Sequence, residues 1–280
     1  MSDFGQDGVM SSQPALSNED LAGSWQELGV RPGDVLMVHG SLSAFGPVHL
    51  GAQGIISSLR TAVGRSGTLV MPAFTPRIAD PSPQTSGLCA QTQHGRDAVP
   101  DFDATGPSQM GAISEALRKS ADTVRSTHPQ VSVIAQGPAA AEIVAKQTLG
   151  YAVGRQSPFA AVRRLNGRIL LLGVGHNRNT FLHHAESLCP LHRRKLRRFP
   201  MRVQGERVWI EAPDVADDLD TLFPRVGLEF EELGTTTVGQ IGRAHCRLLD
   251  ADSFVDFAVG RLEHYLRLLP VGAPPPSPAR

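Results

Sequence analysis

His183 and Glu186, three residues apart in the run Asn179-Thr180-Phe181-Leu182-His183-His184-Ala185-Glu186, pair an imidazole with a carboxylate. At about 100° per residue, positions 179–189 form a helix with Phe181, Leu182, Ala185, Leu188 and Cys189 on one apolar face. His183 and Glu186 then lie about 60° apart on the polar side, close enough to share one site. An unperturbed imidazole titrates at about pH 6.5, and a carboxylate that favours its charged form brings it to about 7, where a general base works best. The chemistry on offer is proton removal by His183 with Glu186 as its orienter. The same spacing also suits an exposed helix face that carries the two groups incidentally, and spacing alone leaves both readings open.

The elements around this helix follow from hydrophobic pattern. Apolar runs at 34–39, 68–74, 131–135 and 168–175 read as strands, with another at 207–210. Helical patterns fill the intervals at 18–28, with Asn18 as N-cap, and at 51–63, 108–119, 138–146 and 158–165; Pro190 ends the His183 helix. Strands without alternation are buried on both faces, so the expected fold is a three-layer α/β/α arrangement. One domain over residues 18–269 is expected, between a flexible start at 1–17 and a flexible tail at 270–280 that carries five prolines. The stretch 75–106, rich in Pro, Gly, Ser, Asp and Gln, reads as a substrate-side loop. Seven bases or histidines crowd into residues 191–202, as a solvated face or an anion contact.

Whole-chain properties exclude several roles. The 280 residues are 41% hydrophobic, and 27 basic residues balance 27 acidic ones, so nothing at that level points to nucleic acid. The start lacks a signal-peptide pattern and no apolar run is long enough to cross a bilayer, so a cytoplasmic protein without membrane association is expected. Cys89, Cys189 and Cys246 are scattered and odd in number, which argues against a disulfide framework. His183, His184, Glu186, Cys189 and His192 lack the spacing of a zinc site, and no metal is expected. Gly173-Val174-Gly175-His176-Asn177-Arg178 opens like a dinucleotide fingerprint, but Arg178 stands where the third glycine belongs. The turn Val38-His39-Gly40-Ser41-Leu42-Ser43-Ala44-Phe45-Gly46 leaves a buried strand at its carboxyl end, where α/β proteins bind ligands; a phosphate-bearing cofactor suits it, as does a plain strand-to-helix turn.

In their order these segments resemble the aminoglycoside 3-N-acetyltransferase family, also called the antibiotic N-acetyltransferases. The blocks that carry the resemblance are residues 38–46, Gly67-Thr68-Leu69-Val70-Met71-Pro72-Ala73-Phe74-Thr75, Phe102-Asp103, 110–118, 124–132 with His128-Pro129, Ser157-Pro158, 167–175, 179–186 and Gln240-Ile241-Gly242-Arg243-Ala244. The resemblance implies that family's own three-layer α/β/α fold, distinct from the better-known acetyltransferase fold, with acetyl-CoA as co-substrate and no metal. It implies transfer of an acetyl group to the 3-amino group of an aminoglycoside antibiotic, by a monomer or homodimer. It maps the family's base onto His183 and its supporting carboxylate onto Glu186. Ser41, Leu42, Ser43, Thr75, Met110 and Arg125 become cofactor-binding candidates, and Asp80, Asp103 and His128 substrate-binding candidates. Another amine, such as a biosynthetic amino sugar, or a CoA-binding protein without turnover are the alternatives. Two departures stand out: Gly40 where many members carry Ser, and Arg155 where Gly-Glu-Gly-Ser-Pro is common. The acidic stretches 97–103, 214–220 and 229–232 are the expected lining for a polycationic acceptor, and the basic run 192–202 opposes it.

Overall fold

Alternate residues of the central strands feed two separate cores, which makes the molecule three-layered. Leu36, Val38, Leu69, Leu170 and Leu172 pack into one core, and Met37, Val70, Ile169 and Leu171 into the other. A computed structural model describes residues 14–81, 95–218 and 220–269. In chain order its elements are α1 (Asn18–Glu27), β1 (Val35–Gly40), α2 (Gly51–Val63), β2 (Thr68–Pro72), α3 (Ala112–Arg118), β3 (Val124–Arg125), β4 (Val133–Gln136), α4 (Ala140–Val144), α5 (Pro158–Arg164), β5 (Arg168–Leu172), α6 (Phe181–Leu188), β6 (Arg194–Val203), β7 (Glu206–Val215), α7 (Leu222–Glu231), β8 (Thr237–Ile241), β9 (Ala244–Asp250) and α8 (Ala251–Leu268). Seven strands form one sheet in the order β3-β4-β2-β1-β5-β9-β8, and β6 and β7 form a separate two-stranded sheet. β1 runs parallel to β2 on one side and to β5 on the other, while β4 and β9 extend the sheet antiparallel.

That order puts a crevice where the site must be. Chain progression leaves β1 towards β2, and β5 lies on the opposite flank, so the loops after β1 and β5 diverge at their carboxyl ends. His39 is registered with Leu171 and Gly40 with Leu172, so the 41–43 turn and the 173–180 loop start side by side. Close approach is enforced by glycine: a Cβ on Gly173, at φ +64°, would sit 2.2 Å from that of Ala44. One on Gly40 would meet the Leu172 Cβ at 2.9 Å, so glycine instead of serine here follows from packing across β1 and β5.

Several expectations are corrected. Ser17, not Asn18, caps α1: its hydroxyl accepts from the Asp20 N–H, and the Asp20 carboxylate accepts from the Ser17 N–H in return. The flexible start 1–17 fails at its end, since Leu16 bridges to Val48; residues 1–13, 270–280 and Cys89 lie outside the described residues. α3 begins at Ala112 rather than 108, because Gly111 takes φ +89°. The basic run is a strand: β6 pairs with β7 over its whole length through Gln204 and Gly205, both at positive φ. The hairpin β8–β9 and helices α7 and α8 carried no sequence expectation.

Candidate active site

His183 lies on α6, whose Phe181, Leu182 and Ala185 are buried in the core. Fixing that face turns His183 towards a cleft of about 460 Å³ lined also by Asp80, Asn179, Lys195, Asp217 and Phe223. The Phe223 ring meets the imidazole edge-on at 4.6 Å. The Nδ1 atom is buried and without a hydrogen-bond partner among the described residues, which leaves the Nε2 edge to the cleft. Burial, reinforced by the positive charge of Lys195, pushes the imidazole down to about 4. The expectation of a value near 7 is therefore corrected; His183 is neutral and proton-accepting at physiological pH.

Glu186 is not its partner. The carboxylate is 0% exposed and is taken by Arg193, which donates from its backbone N–H (3.0 Å), Nε (2.8 Å) and Nη2 (2.8 Å). Arg193 also donates from Nη1 to Asp218 at 2.9 Å. Asp218 in turn accepts the backbone N–H groups of Thr221, Leu222 and Phe223 and so caps α7. Glu186 thus reaches His183 indirectly, through the helix start that carries Phe223. A one-dimensional helix wheel cannot show that the opposite wall supplies an arginine for the carboxylate.

A second cleft, of about 720 Å³, opens beside the first and is lined by His39, Ser41, Leu42, Ser43, Met110 and Arg178, among others. Met110 and Arg178 line both clefts, so the two meet there. The Ser41 N–H is spent on the Leu172 carbonyl, leaving the Leu42 and Ser43 amides at the first turn of a 3-10 helix, where no intrahelical acceptor exists. The Ser41 and Ser43 hydroxyls bond each other at 3.0 Å. His39 is buried, its Nε2 has no hydrogen-bond partner among the described residues, and burial holds it at about 3. Small walls, free amides, hydroxyls and an orphaned ring nitrogen suit a long, polar-backboned ligand such as the pantetheine arm of CoA.

The other candidates divide. Met110 is at the junction, and Asp80 lines the His183 cleft, its carboxylate held by Arg96 at 2.5 Å. Thr75 instead turns its hydroxyl to the Pro129 carbonyl. Arg125 donates to the carbonyls of Ala73, Ala104 and Gly106 and to the Ser132 hydroxyl, tying down a loop. The Asp103 carboxylate closes a turn on Thr105. His128 accepts from the Gln130 and Val131 N–H groups at Nδ1 and contacts the Leu149 carbonyl through Nε2, bracing a buried turn. In all four the polar groups are engaged within the protein, in Thr75, Arg125 and His128 by backbone groups of closed loops. His184 faces away from His183, towards the Val153 carbonyl.

Most cations of the basic run are paired in place. Arg197 pairs with buried Asp214, Lys195 with Asp217, Arg198 with Glu211 and Arg202 with Asp101. Of the acidic stretches expected to line an acceptor pocket, Asp217 reaches the cleft. Glu229 is engaged by Arg225 and Arg261, and Glu231 by His176 and Arg247. Arg178, Lys195, Arg193 and Phe223 had no assigned role from sequence. Antiparallel complementarity between residues 193–198 and 211–218 was the signal that could have found the hairpin.

Two clefts that meet beside a histidine on a three-layer fold suit a transferase of two substrates. The chain belongs to the aminoglycoside 3-N-acetyltransferase family, whose model matches residues 37–263. Aminoglycoside N(3)-acetyltransferase III of Serratia marcescens is 35% identical over 264 residues, 88% of this chain and 97% of the relative. The structure of AAC-IIIb with CoASH is 29% identical, with a TM-score of 0.81 over 90% of this chain and 98% of that one. AAC-VIa bound to sisomicin is 30% identical, with a TM-score of 0.81 over 90% and 99%.

Proposed function

We propose that the chain transfers the acetyl group of acetyl-CoA to the 3-amino group of an aminoglycoside by direct attack in a ternary complex, with His183 as general base. The observation that carries this reading is the neutral His183 at the edge of one cleft, next to the junction with the other at Met110 and Arg178. Ser41, Leu42, Ser43 and Met110 would hold the donor, and the Asp80 and Asp217 side would take the acceptor. His183 accepts a proton from the amine as its nitrogen bonds the thioester carbonyl carbon; the C–S bond breaks and the thiolate leaves with the proton. The Leu42 and Ser43 amides stand ready for the developing oxyanion. Glu186 and Arg193 act as positioning residues that hold the Phe223 wall against the imidazole. The CoASH complex of AAC-IIIb and the sisomicin complex of AAC-VIa support the two ligand classes.

Thiol release with acetyl-CoA and sisomicin tests the reading. His183→Ala is expected to lose roughly 10² to 10⁴ in kcat. Full turnover in that variant would reject His183 as the base, and no turnover by the unmodified chain on any aminoglycoside would reject the acceptor.

A further inference from the structure

Three of the 27 basic residues are lysines: Lys119, Lys146 and Lys195. Lys195 lies in the His183 cleft, in a strand whose other cations are arginines. Its ammonium is paired with Asp217. The two partners are unequally exposed: the Lys195 side chain is 24% accessible and that of Asp217 66%. Burial, and the Arg197 guanidinium nearby, hold the ammonium below its ordinary lysine value.

The other acids around the cleft are committed differently. Asp80 is gripped through two nitrogens of Arg96, and buried Asp214 by Arg197, which also donates to Gln130. Planar guanidinium forks of this kind are hard to exchange for an amine. Asp217 is held by an alkylammonium on a flexible stem, the same chemical group that an aminoglycoside presents. The remaining charges that face the cleft are Arg178 and Arg198.

We propose that Lys195 is a specificity-determining residue: its ammonium stands in for an acceptor ammonium on Asp217, and an incoming acceptor must displace it. The inference rests on the aminoglycoside reading above. Displacement leaves the lysine charge close to the bound polycation, so each further ammonium on the acceptor is disfavoured. Lys195 thereby limits how highly charged a good acceptor can be, and Asp217 supplies the attraction that remains.

The test is steady-state kinetics at saturating acetyl-CoA with sisomicin as acceptor, on Lys195→Gln, Lys195→Arg and Asp217→Asn. Removing a like charge from the cleft is expected to lower the acceptor KM of Lys195→Gln roughly fivefold or more, with a smaller change in kcat. The KM for acetyl-CoA stays where it was. Lys195→Arg, which puts a less exchangeable guanidinium on Asp217, is expected to hold the acceptor KM at or above its starting value, and Asp217→Asn raises it. Lys195→Met gives the same comparison if the glutamine variant melts early. A higher acceptor KM in Lys195→Gln would make Lys195 a ligand of the acceptor and overturn the proposal; an unmoved KM would overturn it too. Both outcomes differ from failure of the underlying reading, in which the unmodified chain would acetylate no aminoglycoside at all.

Discussion

The two clefts are built by opposite means. The cleft proposed for the donor is lined chiefly by uncharged residues of the turn after β1 and of segment 109–114, with close glycine contacts at Gly40 and Gly173. The cleft proposed for the acceptor carries charged side chains from β6, the segment after β7 and the loop before residue 82, ion-paired among themselves or to neighbours. A wall of backbone is fixed by volume, whereas a wall of ion pairs is fixed by charge balance. The first should therefore respond to added atoms and the second to a removed partner.

The largest effect is expected from breaking that balance beneath the histidine. Arg193→Ala leaves the fully buried Glu186 carboxylate without its side-chain partner, which should cost about 3 kcal/mol in stability by denaturant unfolding. If stability held within about 0.5 kcal/mol, the ion pair would not support the acceptor wall. Next comes pH. Because His183 is depressed to about 4, the acid limb of kcat/KM should lie near pH 4, with no loss from this group between pH 7 and 5.5. A limb between 6 and 7 that does not follow the acceptor amine's own ionisation would refute a desolvated, neutral base. Stability follows the same sign: His39, His128 and His184 are buried neutral, with values of about 3, 4 and 4. Their contribution is complete above about pH 6.5 and is lost as pH falls towards those values, so melting temperature should drop between pH 6.5 and 4.5.

On the donor side, Gly40→Ala should raise the KM for acetyl-CoA a few-fold, roughly the kinetic equivalent of 1 kcal/mol of overpacking, and leave the acceptor KM unmoved. Equal shifts in both would contradict independent construction of the clefts. The smallest effect is expected at Arg164→Gln, in an ion pair with Glu142 exposed on both sides; a change under about 0.5 kcal/mol in stability would mark this as a surface pair.

The same contrast governs what was legible in the sequence. Ser41, Leu42 and Ser43 are contiguous and follow a buried strand, so pattern and family order both pointed to them, and the structure puts them with Met110 on one cleft. Thr75, Arg125, Asp103 and His128 lie in equally family-like blocks but serve carbonyls, amides or hydroxyls nearby, contacts that no spacing encodes. Glu186 was correctly placed beside His183 on the helix and misjudged in its partner, because Arg193 arrives from beyond Pro190. The α/β/α layering was readable from strands that are apolar at every position. The β6–β7 hairpin was not, because its cross-strand ion pairs join residues far enough apart that each half looks simply basic or acidic.

That hairpin is hydrogen-bonded to itself and not to the seven-stranded sheet. Phe199, Ala212 and Val215 anchor it in the cores, while Lys195 and Arg197 face the His183 cleft and belong to no ladder of that sheet. On the reading proposed above, acceptor range can drift through substitutions confined to the cleft-facing side of one ribbon.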